Sequence, residues 1–122
     1  MNADEFERLV AQAFDELPEQ FKKKIENVAI VVEDWPDART LEISGVMNRT
    51  ALLGLYHGVP LTSRTTGYGL VPPDKISIYR YPILMQSSGP EDIRSLVRHV
   101  LVHEIAHYFG VGDDRLHELG AY

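Results

Sequence analysis

From Val100 to Phe109 the chain reads Val-Leu-Val-His-Glu-Ile-Ala-His-Tyr-Phe, and this stretch constrains the fold more than any other. A helix that is apolar nearly all round belongs inside a protein. Yet this one carries two imidazoles and a carboxylate, groups that are costly to bury unless they are paired or bound to a metal ion. His103 and His107 are four residues apart, so on a helix they share a face. Glu104 is turned from His103 by about 100°. Leu96, Val100, His103 and His107 recur at helical spacing, which puts the histidines on the inward stripe. One metal ion would relieve all three groups together.

Imidazole nitrogen with carboxylate oxygen is a zinc donor set. With His103 and His107 as two ligands, a third is expected just beyond the helix, where Gly110 can take positive φ and turn the chain back. Asp113 is the first choice, Asp114 the next and His117 a rival. Asp113 and Asp114 are equally suited to capping a short final helix. Glu104 would stay out of the first shell and reach a water on the metal, the layout of zinc peptidases. His99 lies about 6 Å along the axis from His103, too far to join the pair easily, and reads as a surface residue. His57 precedes a turn glycine and reads as a solvated loop residue. Tyr79, Tyr81 and Tyr108 read as aromatic packing rather than as oxyanion donors.

The 122 residues suffice for one modest core. A net charge of −6 argues against nucleic acid and against an anionic membrane surface. No apolar run approaches the roughly 18 residues of a transmembrane helix. The acidic N-terminus lacks the apolar core of a signal peptide, and with no Cys there are neither disulfides nor thiolate metal sites. These features lead us to expect a cytoplasmic protein.

Phe6, Leu9, Val10, Ala13, Phe14 and Leu17 recur at helical spacing, and Pro18 divides this helix from a second one reaching about Ile25. Lys22, Lys23 and Lys24 fit a solvated helix end. Val28 to Val32 reads as a buried strand, broken by Trp35-Pro36-Asp37. Residues 38–50 are ambiguous and fit a short helix and a loop. Leu52 to Tyr56 reads as a second strand, and residues 61–74 as a Thr/Ser/Gly-rich loop suited to a connector or a lid. Lys75 to Tyr81 alternates polar and bulky residues, so we expect a half-exposed edge strand that Pro82 confines, able to take an extended peptide by strand addition. Gly89-Pro90-Glu91-Asp92 starts the long helix. Asp113 to Leu119 reads as a short final helix.

On these residues the chain resembles the zincin metallopeptidases, and more closely the small bacterial zincin-like metallopeptidase family. Leu53-Gly54-Leu55-Tyr56-His57-Gly58-Val59-Pro60-Leu61 is similar to that family's Leu-Gly-Leu-Tyr-x-Gly-x-Pro-Leu block. Ile76 to Arg80 resembles its edge-strand block, and Asp114 to Leu119 its C-terminal block. The resemblance implies an α+β, minimal zincin-like fold in one domain over residues 1–122. A small twisted mixed sheet would pack against a long metal-binding helix and N-terminal helices. It also implies peptidase activity. Metzincins carry His where Asp113 stands, and their Met-turn follows the motif; here no Met follows, and Met85 is expected in the core. Glu118 is too close to His107 to match the distant glutamate ligand of the other main zincin branch.

Two functions compete. The first is a zinc-dependent peptidase acting on a peptide or protein through metal-activated water, with Glu104 as general base. The second is a catalytically silent zincin-fold metal-binding or interaction protein. The intact Glu104 favours the enzyme, because a purely structural site does not need it. The short chain leaves little material for a second wall of a deep cleft. Nothing in the sequence reads out the oligomeric state.

Overall fold

The structure is a computed structural model that describes residues 1–25, 28–58 and 74–110. Helix α1, Ala3–Asp15, starts where the Asn2 side chain accepts a hydrogen bond from the Glu5 amide at 2.8 Å, with Asp4 and Glu5 in its first turn. Phe6, Leu9, Val10 and Ala13 form its buried stripe. After Pro18 comes α2, Glu19–Lys24, where Lys22 pairs with Glu19 and donates to the Asp15 carbonyl, so it serves the end of α1 rather than that of its own helix.

Strand β1, Val28–Glu33, lies at an edge of the sheet and is half-buried with Ala29 exposed, not the buried strand its composition suggests; it is followed by α3, Ala38–Ser44, the short helix of the ambiguous stretch. Asp37 caps α3 by accepting from the Thr40 amide at 2.7 Å, and Gly45 ends it at φ 77°. Strand β2 is Gly54–His57 and β3 is Asp74–Tyr79. A short helix not foreseen from the sequence, α4, spans Arg80–Gln86, with Pro82 in its first turn, where a missing N–H costs little. Helix α5, Pro90–Tyr108, has Pro at its start and acids in its first turn, as its sequence predicts.

The sheet runs in the order β1-β3-β2, with β1 parallel and β2 antiparallel to β3. This overturns the expectation of an edge strand at residues 75–81. β3 is the central strand: Ile76, Ser77, Ile78 and Tyr79 are all buried, and among the described residues the two edges are β1 and β2. The alternation in β3 is real, but its polar face is covered rather than solvated. Ser77 donates to Glu33 Oε2 at 2.6 Å and lies 3.2 Å from His57 Nε2. Ile76 and Ile78 point the other way, into a core built with Phe6 and Val10 of α1, Ile83 of α4 and Val97, Leu101 and Ile105 of α5. Met85 is not in that core; it is 62% exposed on the outer side of α4.

The fold is therefore α+β: a three-stranded mixed sheet against the long helix α5 and the N-terminal helix α1. Among the described residues, no helix is long and apolar enough to cross a membrane.

Candidate metal centre

Helix α5 carries Ile93, Val97, Val100, Leu101, Glu104, Ile105 and Tyr108 on its buried side. The inward stripe thus runs through Glu104, not through the histidines as the spacing suggested. Glu104 is 6% exposed. His103 and His107 sit at the margin of the stripe, half-buried, and Val102 on the far side is exposed. The physical reason is that Val97, Leu101 and Ile105 enter the core more deeply than Leu96 does, which rotates the helix toward the carboxylate. The rotation leaves both imidazoles partly open to solvent, where an ion or a substrate can reach them.

The imidazole Nε2 atoms of His103 and His107 are 3.1 Å apart, with the rings edge to face at a centroid distance of 4.7 Å. Two ligands of a tetrahedral zinc ion, each about 2.0–2.1 Å from it, stand roughly 3.3 Å apart. The pair thus fits a shared ion with only a small adjustment. Glu104 Oε2 lies 3.8 Å from His103 Nε2. The three side chains bring donor atoms within 4.8 Å of one another. The cluster is consistent with a His-Glu-x-x-His metal site, with His103 and His107 as the side chains able to hold the ion.

The other Glu104 oxygen, Oε1, accepts a hydrogen bond from the Tyr56 backbone N–H on β2 at 2.9 Å. Gly54, two residues earlier on that strand, lies directly beneath α5. A Cβ there would come within 2.6 Å of Val100 Cγ1 and 3.0 Å of the Ser77 carbonyl oxygen. Beside the site, the Tyr56 hydroxyl donates to Asp74 Oδ2 at 2.6 Å, and its ring meets that of Tyr108 edge-on. Tyr56, Gly54 and Asp74 are site neighbours not expected from the sequence. A glycine inside a strand pattern is a signal of close backbone approach, and it was there to be read at Gly54.

Of the remaining expectations, His99 is exposed on α5. His57 is not a solvated loop residue but the last residue of β2, half-buried against Ser77. Burial is the main reason its pKa is held below the ordinary value, with Lys75 second, while Glu33 and Asp37 act in the opposite sense. Tyr79 and Tyr108 are buried, and Tyr81 stacks on Trp35 at 5.4 Å, so all three pack as aromatic groups. Gly110 takes φ 85° and its amide donates to the His107 carbonyl at 2.9 Å, closing the helix as expected. Asp113, Asp114, His117 and Glu118 lie outside the described residues, as do the final helix and nearly all of the 61–74 loop.

A two-histidine, one-glutamate cluster on a helix laid across a small mixed sheet defines a zincin-like protein. The sequence profile of the Zincin-like metallopeptidase family matches residues 25–121, and the chain belongs to that family. Among solved structures the fold is similar to that of a conserved hypothetical protein from T. thermophilus. The two share 22% identity over 89% of this chain and 94% of that one, with a TM-score of 0.58. No curated protein matches the sequence.

Proposed function

We propose that this protein is a zinc-dependent peptidase, with His103, His107 and Asp113 as ligands and Glu104 as general base. The observation that carries the reading is the pair of imidazole nitrogens 3.1 Å apart with the buried Glu104 carboxylate alongside. Zinc, when bound, supplies Lewis acidity, making water a better nucleophile at neutral pH and polarising a carbonyl. Glu104 takes the proton that the attacking water loses as the new C–O bond forms. It returns that proton to the amine nitrogen as the C–N bond breaks. The two histidines would meet the ion as neutral imidazoles, the form in which a ring nitrogen has a lone pair to give.

The substrate we propose is an extended peptide or protein segment. Among the described residues the strand edge beside α5 is that of β2, and an incoming chain would lie alongside it, bonding edge groups other than the Tyr56 N–H that Glu104 takes. Asp113 as third ligand rests on its place after the Gly110 turn.

A second reading has support from one contact. The bond from the Tyr56 amide would also be made by a glutamate whose only task is to join α5 to β2. Glu104→Gln separates the two, because the amide oxygen of Gln still accepts that bond but cannot take a proton. In an enzyme the variant keeps zinc and loses turnover by about 10²–10⁴-fold. Unchanged turnover of a peptide library would remove Glu104 from the chemistry.

A further inference from the structure

We propose that Tyr56 and Gly54 are positioning residues for Glu104: the Tyr56 backbone N–H seats the carboxylate, and Gly54 permits the close approach of α5 that the seat requires. The inference rests on the reading of Glu104 as general base.

The orientation of β2 makes the seat available. Leu55 faces Ser77, His57 faces Lys75, and the Tyr79 amide donates to the Leu53 carbonyl, so the odd-numbered residues of β2 serve the ladder. Tyr56 lies between them, and its N–H points off the outer edge of the sheet. There it meets Glu104 Oε1 at 2.9 Å, a bond between residues 48 positions apart. A hydrogen bond to a carboxylate is about twice as strong as a neutral one. With Oε1 held, the remaining oxygen Oε2 is fixed 3.8 Å from His103 Nε2, on the metal side. A glutamate without this seat would spread over several rotamers. Misplacing a reacting group by 1 Å can cost on the order of 10²-fold in rate.

Gly54 sets the distance. It faces α5 from the same side of β2 as Tyr56. A Cβ on it would meet Val100 Cγ1 at 2.6 Å, the Ser77 carbonyl at 3.0 Å and Glu104 Cγ at 3.6 Å. Any side chain at position 54 therefore pushes α5 off the strand and draws Glu104 away from the Tyr56 amide.

The test compares two substitutions at one residue. Tyr56→Ala and Tyr56→Pro both lose the phenol and its bond to Asp74, but only proline loses the N–H. That N–H is not a ladder donor, and an edge position tolerates proline. With the zinc-loaded protein and a cleavable peptide, kcat is expected to be 10–10²-fold lower in Tyr56→Pro than in Tyr56→Ala. KM and zinc affinity are expected to agree within about twofold. Equal kcat values would overturn the proposal. If Tyr56→Pro does not fold, Gly54→Ala takes its place: kcat falls, and adding Val100→Ala, which removes the clashing methyl, restores part of it. No restoration counts against the proposal.

Amide hydrogen exchange at Tyr56 gives a readout that needs no turnover. Exchange is expected to be slow in the wild type and in Glu104→Gln, and at least tenfold faster in Glu104→Ala. Equal rates in wild type and Glu104→Ala would remove the seat even in an active enzyme. If no peptide is cleaved, the peptidase reading fails while exchange still decides the seat.

Discussion

Glu104 shows how one buried charge organises its neighbourhood. An ionised carboxylate taken from water must find donors, and the Tyr56 amide supplies one across the interface between α5 and β2. At the other end of the same residue Asp74, 2% exposed, accepts from the Tyr56 hydroxyl, so a single tyrosine serves two buried acids through two different groups. Tyr56→Phe removes one donor from Asp74 and leaves the amide in place. We predict a loss of about 1–3 kcal/mol in unfolding free energy with zinc affinity unchanged, read by urea titration and zinc competition. A loss of zinc instead would mean that Asp74 bears on the metal. The identity of the histidine–glutamate cluster was legible in the sequence, because i and i+4 spacing on a helix leaves few alternatives. The burial ranking within it was not: Glu104 lies deeper than either histidine because of how far Val97, Leu101 and Ile105 enter the core, and helical periodicity alone does not report depth.

Helix α5, which carries the histidine pair, is held by what it buries. Leu101 is completely buried in the core that α5 shares with α1 and the sheet, and Leu101→Ala should cost about 2–5 kcal/mol. The change in unfolding free energy measures this directly; a cost under about 1 kcal/mol would mean that α5 is not anchored through this face. Existence and type of α1, β1 and α5 could be read from periodicity, from β-branched residues and from the Pro90 start. Strand order could not. The alternation in β3 describes a strand with one apolar and one polar face, and a polar face covered by Glu33 and His57 has the same sequence signature as one covered by water. Helix α4 was missed because Pro82 reads as a breaker, whereas in the first turn of a helix it is tolerated.

Across the whole molecule, His57 couples the sheet to pH. Its folded pKa is depressed below the ordinary 6.5, mainly by burial. The unfolded chain therefore binds a proton more readily than the folded one, and stability falls as pH drops below about 6.5, with no contribution well above it. His57→Gln should flatten this dependence. Urea midpoints of wild type and variant measured between pH 5 and pH 8 should diverge on the acid side and run parallel on the alkaline side; parallel curves throughout would contradict the burial of this imidazole.

The zinc site proposed on α5 is completed by a residue beyond Gly110. Metal content and zinc affinity of the wild type, beside His107→Ala and Asp113→Ala, test it most directly. One zinc per chain is expected in the wild type. An affinity weakened at least a hundredfold is expected in each variant, with the far-ultraviolet dichroism of the fold retained. A wild type that takes up no zinc on reconstitution would contradict that site and leave a zincin-like scaffold whose clustered histidines serve another end.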